Sequence, residues 1–404
     1  MINCILSVTL YCAISIGLIL TCIYVRKPCS EKFAHEENKD FLKTPISLRK
    51  PCRGKLADEE NEDFLKIQIC LILFFAALYT LYNAYCTFGK DISKKGEGDR
   101  FVYYLQFIGE GKSTVGLTFV FDIIRLFTDN FNAVLYFTTF TCCCMFFIAL
   151  SQSKDVTVYS VVFLLITDII VGVTFVNLKQ SFAIGFAYLM FVICFNKEKT
   201  LINEIMAWGL IVAAILFHIT AVILIPIYFL IRFTGWQKKY LYVFVVILAL
   251  CMAFMQSLGP LVAKILININ PSSALAAKLN EYFTNGGITS GGSAFAFIKG
   301  FPFYLISAIG IAKRNRLRTV IDNYDSYLLL SIIGSLFYLC SAQTYWIYRM
   351  IYYFYLPISI FIGQIIKKGL DTTFDKCAVG LCYLSEAVVF FRWFILIYIN
   401  YGGF

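Results

Sequence analysis

Apolar runs of about twenty residues recur along most of the chain, separated by short polar or basic stretches. Residues 3–25, 67–85, 131–150, 156–176, 181–195, 240–258, 294–312, 327–341, 350–366 and 378–399 each read as one helix in a hydrocarbon core about 30 Å thick. One run is longer. Residues 205–231 would make a helix of roughly 40 Å, and His218 sits near the middle of that run with Pro226 beyond it. Two short helices meeting near His218 fit the flanking charges better than one tilted helix, so the pattern predicts about twelve spans. Residues 177–180, which hold Lys179 and Gln180, read as a tight polar turn, and Asp168 lies inside the fourth span.

Three connections are long. Residues 26–66 carry a duplication in which KPCSEKFAHEENKDFLK recurs as KPCRGKLADEENEDFLK, identical at 12 of 17 positions. His35 has Asp58 in its place in the second copy, which argues against a role for it. Residues 86–130 and 259–293 form two further polar loops, the second ending in a Gly/Ser-rich stretch.

Composition then excludes a soluble protein. The chain is 59% hydrophobic and 15% charged, with a mean hydropathy of +0.75. A soluble fold of that composition would have a largely apolar surface. The expected class is all-α: one polytopic transmembrane bundle over residues 1–404, each span satisfying its own backbone. The first span lacks a basic leader and a small-residue cleavage site, so it is expected to remain as a helix. Most of the fifteen cysteines lie within apolar runs, with no C-x-x-C pair and no zinc spacing, and read as small hydrophobes.

The net charge of +10 does not point to nucleic acid, because the basic residues punctuate the apolar runs. The loops beginning at Arg26, Ser151, Asn196, Arg232, Lys313 and Lys367 carry 23 of the 35 Lys and Arg residues. By the positive-inside rule that face is cytoplasmic. The loops 86–130 and 259–293 then face outward, with Lys179–Gln180, the His218 turn and Arg349. The outer face gathers Asp99, Arg100, Lys179, Gln180, His218, Glu281 and Arg349 from distant parts of the chain.

That compartment offers no ATP and no nucleotide sugar. A biosynthetic enzyme there must draw on a lipid-linked donor. Arg and Lys suit a pyrophosphate leaving group, and His or a carboxylate suits an acceptor hydroxyl that must lose a proton. Glu97-x-Asp99 is too short a motif to imply a metal, and no metal or cofactor is expected.

Four segments, in order, resemble the EpsG-like group of O-antigen and exopolysaccharide polymerases, the Wzy class. They are GDRFVYYLQF at 98–107, LKQSFAIGFAYLMF at 178–191, AAILFHITAVILIPIYFL at 213–230 and YRMIYYF at 348–354. The group's L-R-Q pattern has Lys179 in place of Arg, and Asp99 follows Gly98 directly where the pattern leaves a gap. The resemblance implies a GT-C-like architecture and an inverting glycosyltransferase in the bacterial inner membrane. Such an enzyme moves an undecaprenyl-pyrophosphate-linked glycan onto the next lipid-linked repeat unit, in O-antigen (lipopolysaccharide) or similar surface polysaccharide. It implies His218, Arg349 and Asp99 as catalytic, and Lys179, Gln180, Arg100, Tyr103, Tyr352 and Glu281 as substrate-binding. Membrane lipid and a chain-length regulator of the polysaccharide co-polymerase type are the expected partners. A flippase for lipid-linked oligosaccharide is the main alternative and a surface-glycan acyltransferase a weaker one. No half-to-half repeat of the transporter kind is visible.

Overall fold

The computed structural model describes residues 11–20, 70–84, 99–170, 177–196, 198–232, 264–265, 267–269, 293–341 and 349–401. The duplicated loop 26–66, Glu281 and the expected span 240–258 lie outside the described residues, as does most of the loop 259–293. Among the described residues the chain is helical and no strand occurs. In chain order the helices are α1 (Tyr11–Leu20), α2 (Cys70–Ala84), α3 (Asp99–Phe107), α4 (Val115–Arg125), α5 (Phe131–Gln152), α6 (Val158–Ile166), α7 (Leu178–Asn196), α8 (Leu201–Phe217) and α9 (Leu224–Arg232). They continue with α10 (Ser293–Ala312), α11 (Arg314–Val320), α12 (Tyr324–Ser341), α13 (Tyr355–Gly369) and α14 (Thr373–Tyr401).

Among the described residues, three stretches are long and apolar enough to cross a membrane: Phe131–Gln152, Leu178–Phe195 and Arg349–Gly369. Several shorter apolar helices pack around them. Phe74, Leu81, Ile205, Val212, Leu384 and Phe391 point outward. An apolar outer surface of this kind needs hydrocarbon against it, as in a membrane protein.

Side-chain pairs fix the directions. Asn83 donates to Thr139 and Tyr79 packs on Phe147, so α2 runs antiparallel to α5. Tyr11 packs on Tyr82 while Ser15 bonds Tyr79, so α1 is antiparallel to α2. Along α10 and α12, Phe303 meets Tyr338, Ser307 donates to Ser331 and the Tyr324 hydroxyl donates to the Gly310 carbonyl.

The long run around His218 is a hairpin. Trp208 stacks edge-on against Tyr228 with centroids 5.1 Å apart, and Glu204 pairs with Arg232 at 3.0 Å. Both pairs are symmetric about position 218. The helix ends at Phe217, His218 is extended (φ −146, ψ 120), and a 3-10 turn at Ile219–Ile223 leads into α9. The expected break near His218 is therefore present.

Two expectations differ from the structure. The fourth apolar run is not one continuous helix: α6 stops at Thr167, which is extended (ψ 159) and bonds its hydroxyl back to Leu164. No Gly or Pro marks that break. Lys179 and Gln180 are not in a turn but in the first turn of α7, since polar side chains are tolerated where helix N–H groups lack partners.

The described basic connections share one end of the bundle. Asp155 accepts from Tyr327 at 3.0 Å, Asn323 donates to the Phe195 carbonyl, and Arg232 donates to the Cys194 carbonyl. Lys313 pairs with Asp375. Thr372 and Asp375 form reciprocal caps at the start of α14. Burial alone would push the Asp375 carboxyl up; Lys313 and Thr372 outweigh it and hold it below its ordinary value.

Helix α13 runs through the middle and is buried along nearly its whole length. At Gly363 an added Cβ would press on the Ser160 and Thr157 hydroxyls and lie 2.9 Å from the Ser160 backbone nitrogen. Backbone cannot swing aside as a side chain can. Gly363→Ala is expected to lower stability by about 1–3 kcal/mol, read as an earlier thermal transition in detergent.

Candidate functional site

The opposite end of the bundle, away from the basic loops, holds the polar residues of interest. His218 keeps its N–H on the Ala214 carbonyl while its own carbonyl accepts from Ala221. Its half-buried ring therefore projects from a fixed backbone. Its Nδ1 lies 2.6 Å from the Thr220 hydroxyl, which is in turn 3.0 Å from the Tyr353 hydroxyl. A hydroxyl between an imidazole and a phenol can donate to one and accept from the other, whichever tautomer the ring adopts.

Tyr353 belongs to a segment from Arg349 to Tyr355 that ties several helices together. Gln180 donates its amide to the Arg349 carbonyl at 2.5 Å, joining the start of α7 to the start of this segment. The Tyr188 hydroxyl donates to the Tyr352 carbonyl at 3.1 Å. Residues 352–354 form a 3-10 turn, so successive side chains point in different directions. Tyr353 turns to the His218 hairpin, Tyr352 to Asp168, and Tyr355 to Glu386.

Below the mouth lies a buried ionic cluster. Asp168 sits just past the break in α6. It accepts from Lys299 of α10 and from the Tyr352 hydroxyl at 3.0 Å. Both charged side chains are fully buried, and the Lys299 ammonium is 5.1 Å from the centre of the Tyr352 ring. Tyr355 donates to Glu386 at 3.1 Å, which leaves its oxygen to accept from Tyr338 at 2.5 Å. Buried charge of this kind survives only when paired or hydrogen-bonded.

The described part of the loop 86–130 is largely helical. Helix α4 buries Gly116, Leu117, Val120, Phe121 and Ile124 and leaves Val115 and Phe119 exposed, an amphipathic pattern suited to a membrane surface. An added Cβ at Gly116 would lie 2.6 Å from the Phe217 ring, so this helix sits directly against the residue preceding His218. On α3, the Tyr103 ring lies 5.4 Å from the Lys179 ammonium.

The residues expected from the sequence fall as follows. His218 and Arg349 share this end, linked through Thr220, Tyr353 and one turn of helix. Lys179, Gln180 and Tyr103 adjoin them. Arg100 lies on α3 and is buried, as is Tyr352, whose hydroxyl faces Asp168. Asp99 is the first residue of α3. Glu281 is outside the described residues. Thr220 and Tyr353 were within the quoted segments but not singled out; a hydroxyl residue two positions after His218 was the available signal. Lys299 and Glu386 were missed, although each is a charge inside an apolar run and Lys299 is the only one in its own.

This end therefore carries two basic residues, Arg349 and Lys179, and one imidazole, His218. A family model described as EpsG family matches residues 115–402. No curated protein and no solved structure matches the chain.

Proposed function

The chain belongs to the EpsG family, and on that premise we propose that it polymerises surface polysaccharide at the extracytoplasmic membrane face. The donor is a growing glycan on undecaprenyl pyrophosphate, and the acceptor is the next lipid-linked repeat unit. The acceptor hydroxyl attacks the anomeric carbon and the bond from that carbon to the pyrophosphate oxygen breaks. The hydroxyl proton passes to the His218 imidazole, and polyprenyl pyrophosphate leaves. Attack opposite the leaving group inverts the anomeric centre. Arg349 and Lys179 balance the charge that grows on the leaving oxygen. The observation that supports this reading most is that His218, Arg349 and Lys179 lie together at the end away from the basic loops.

Helix α6 breaks at a buried acid paired with a buried lysine, a feature common in transporters. It favours, as a second reading, a flippase for lipid-linked oligosaccharide. The glycan of a deletion strain separates the two. A polymerase deletion is expected to leave single repeat units on the surface carrier. Absence of any surface unit would instead support the flippase, and full-length polymer would remove both readings.

A further inference from the structure

We infer that Asp168 and Lys299 are positioning residues for the outer site: their ion pair holds Tyr352 and thereby sets where Arg349 and Tyr353 project. This rests on the reading of that site as the polymerase's. Tyr352 is held three times over, by its hydroxyl on Asp168, by its ring beside Lys299 and by its carbonyl on Tyr188. It follows Arg349 by three residues and precedes Tyr353, which reaches His218 through Thr220. Any rotation of this 3-10 turn moves the guanidinium and the imidazole's partner together.

Stability alone does not explain the pair. Apolar residues of similar volume generally serve a bundle core as well or better, and Ser307, Phe303 and Tyr338 pack the neighbouring turns without charge. The charges occur where α6 is interrupted, at the level of the one turn that both sides of the site share. A carboxylate fixed by an ammonium gives the Tyr352 hydroxyl a single strong acceptor, so the turn has one preferred setting.

The test uses full-length protein reconstituted with lipid-linked repeat units, with rates normalised to the folded fraction. Three variants are compared with wild type: D168N/K299M, Y352F and the triple combination. The double variant removes both charges and so avoids a stranded one. Y352F removes one hydroxyl and keeps the ring. The double variant is expected to lose about 10–100-fold in kcat, because a misplaced group costs more in the transition state than in binding. KM for the repeat unit should stay within about threefold. Y352F should lose kcat in the same direction, and the triple variant should be no slower than the double. Wild-type kcat in Y352F, or losses that multiply in the triple variant, would overturn the inference. A His218→Ala control separates the two claims. Full activity in that control defeats the site reading itself, whereas an inactive control beside a fully active D168N/K299M defeats only the positioning role.

Discussion

Expressed in a strain lacking its own polymerase, His218→Ala and Arg349→Ala proteins are expected to insert normally and to leave the surface glycan at one repeat unit per carrier. Neither substitution should unfold the chain. The His218 ring is half-buried and bonds a neighbour two residues away, and its backbone bonds to Ala214 and Ala221 do not involve the ring. The Arg349 carbonyl that accepts from Gln180 is kept in the alanine variant. Loss of a general base typically slows a reaction 10²–10⁴-fold, and loss of one group stabilising a developing oxyanion costs about 10²–10³-fold. Either is enough to erase a ladder of long chains. Arg349→Lys should fall between, since it keeps charge but loses the two-pronged fork that matches a phosphate. A normal ladder in both alanine variants, at wild-type protein levels, would remove these residues from the site.

Lys299→Met alone is expected to be the most damaging single change to folding. It strands the Asp168 carboxylate where no water reaches, and the partner bond from Tyr352 cannot replace an ammonium. Breaking one side of a buried pair costs about 3–5 kcal/mol, against a total of about 5–15 kcal/mol for a typical domain. Membrane yield and thermal transition should both drop sharply. Adding Asp168→Asn should recover most of the loss, because the carboxylate that had lost its ammonium is then gone. Failure of the second change to recover yield would mean that the pair is not what holds these helices.

How much was legible beforehand depended on whether a signal was local. The hairpin was readable because one histidine interrupts an unbroken apolar run whose two ends carry Glu204 and Arg232. The helical, membrane-embedded class was readable from the spacing of apolar runs alone. The break at Thr167 was not, since Thr-Asp-Ile-Ile contains no residue that stops a helix by itself. Lys179 and Gln180 looked like a turn because polarity marks helix ends and turns alike. The ionic cluster was the hardest case. Asp168 and Lys299 are 131 residues apart, and each alone reads as a stray charge; only packing of α6, α10 and the Arg349–Tyr355 segment reveals them as partners.

The hairpin also bears on biogenesis. Its arms, α8 and the stretch Ile219–Arg232, are 17 and 14 residues long, roughly 25 Å and 21 Å as helix. Neither matches a bilayer about 30 Å thick. Each arm is at or below the lower length limit for a lone span, and the second arm covers part of the first. The two arms are therefore expected to insert as a unit, zipped by Trp208 against Tyr228 and closed at the base by Glu204 and Arg232.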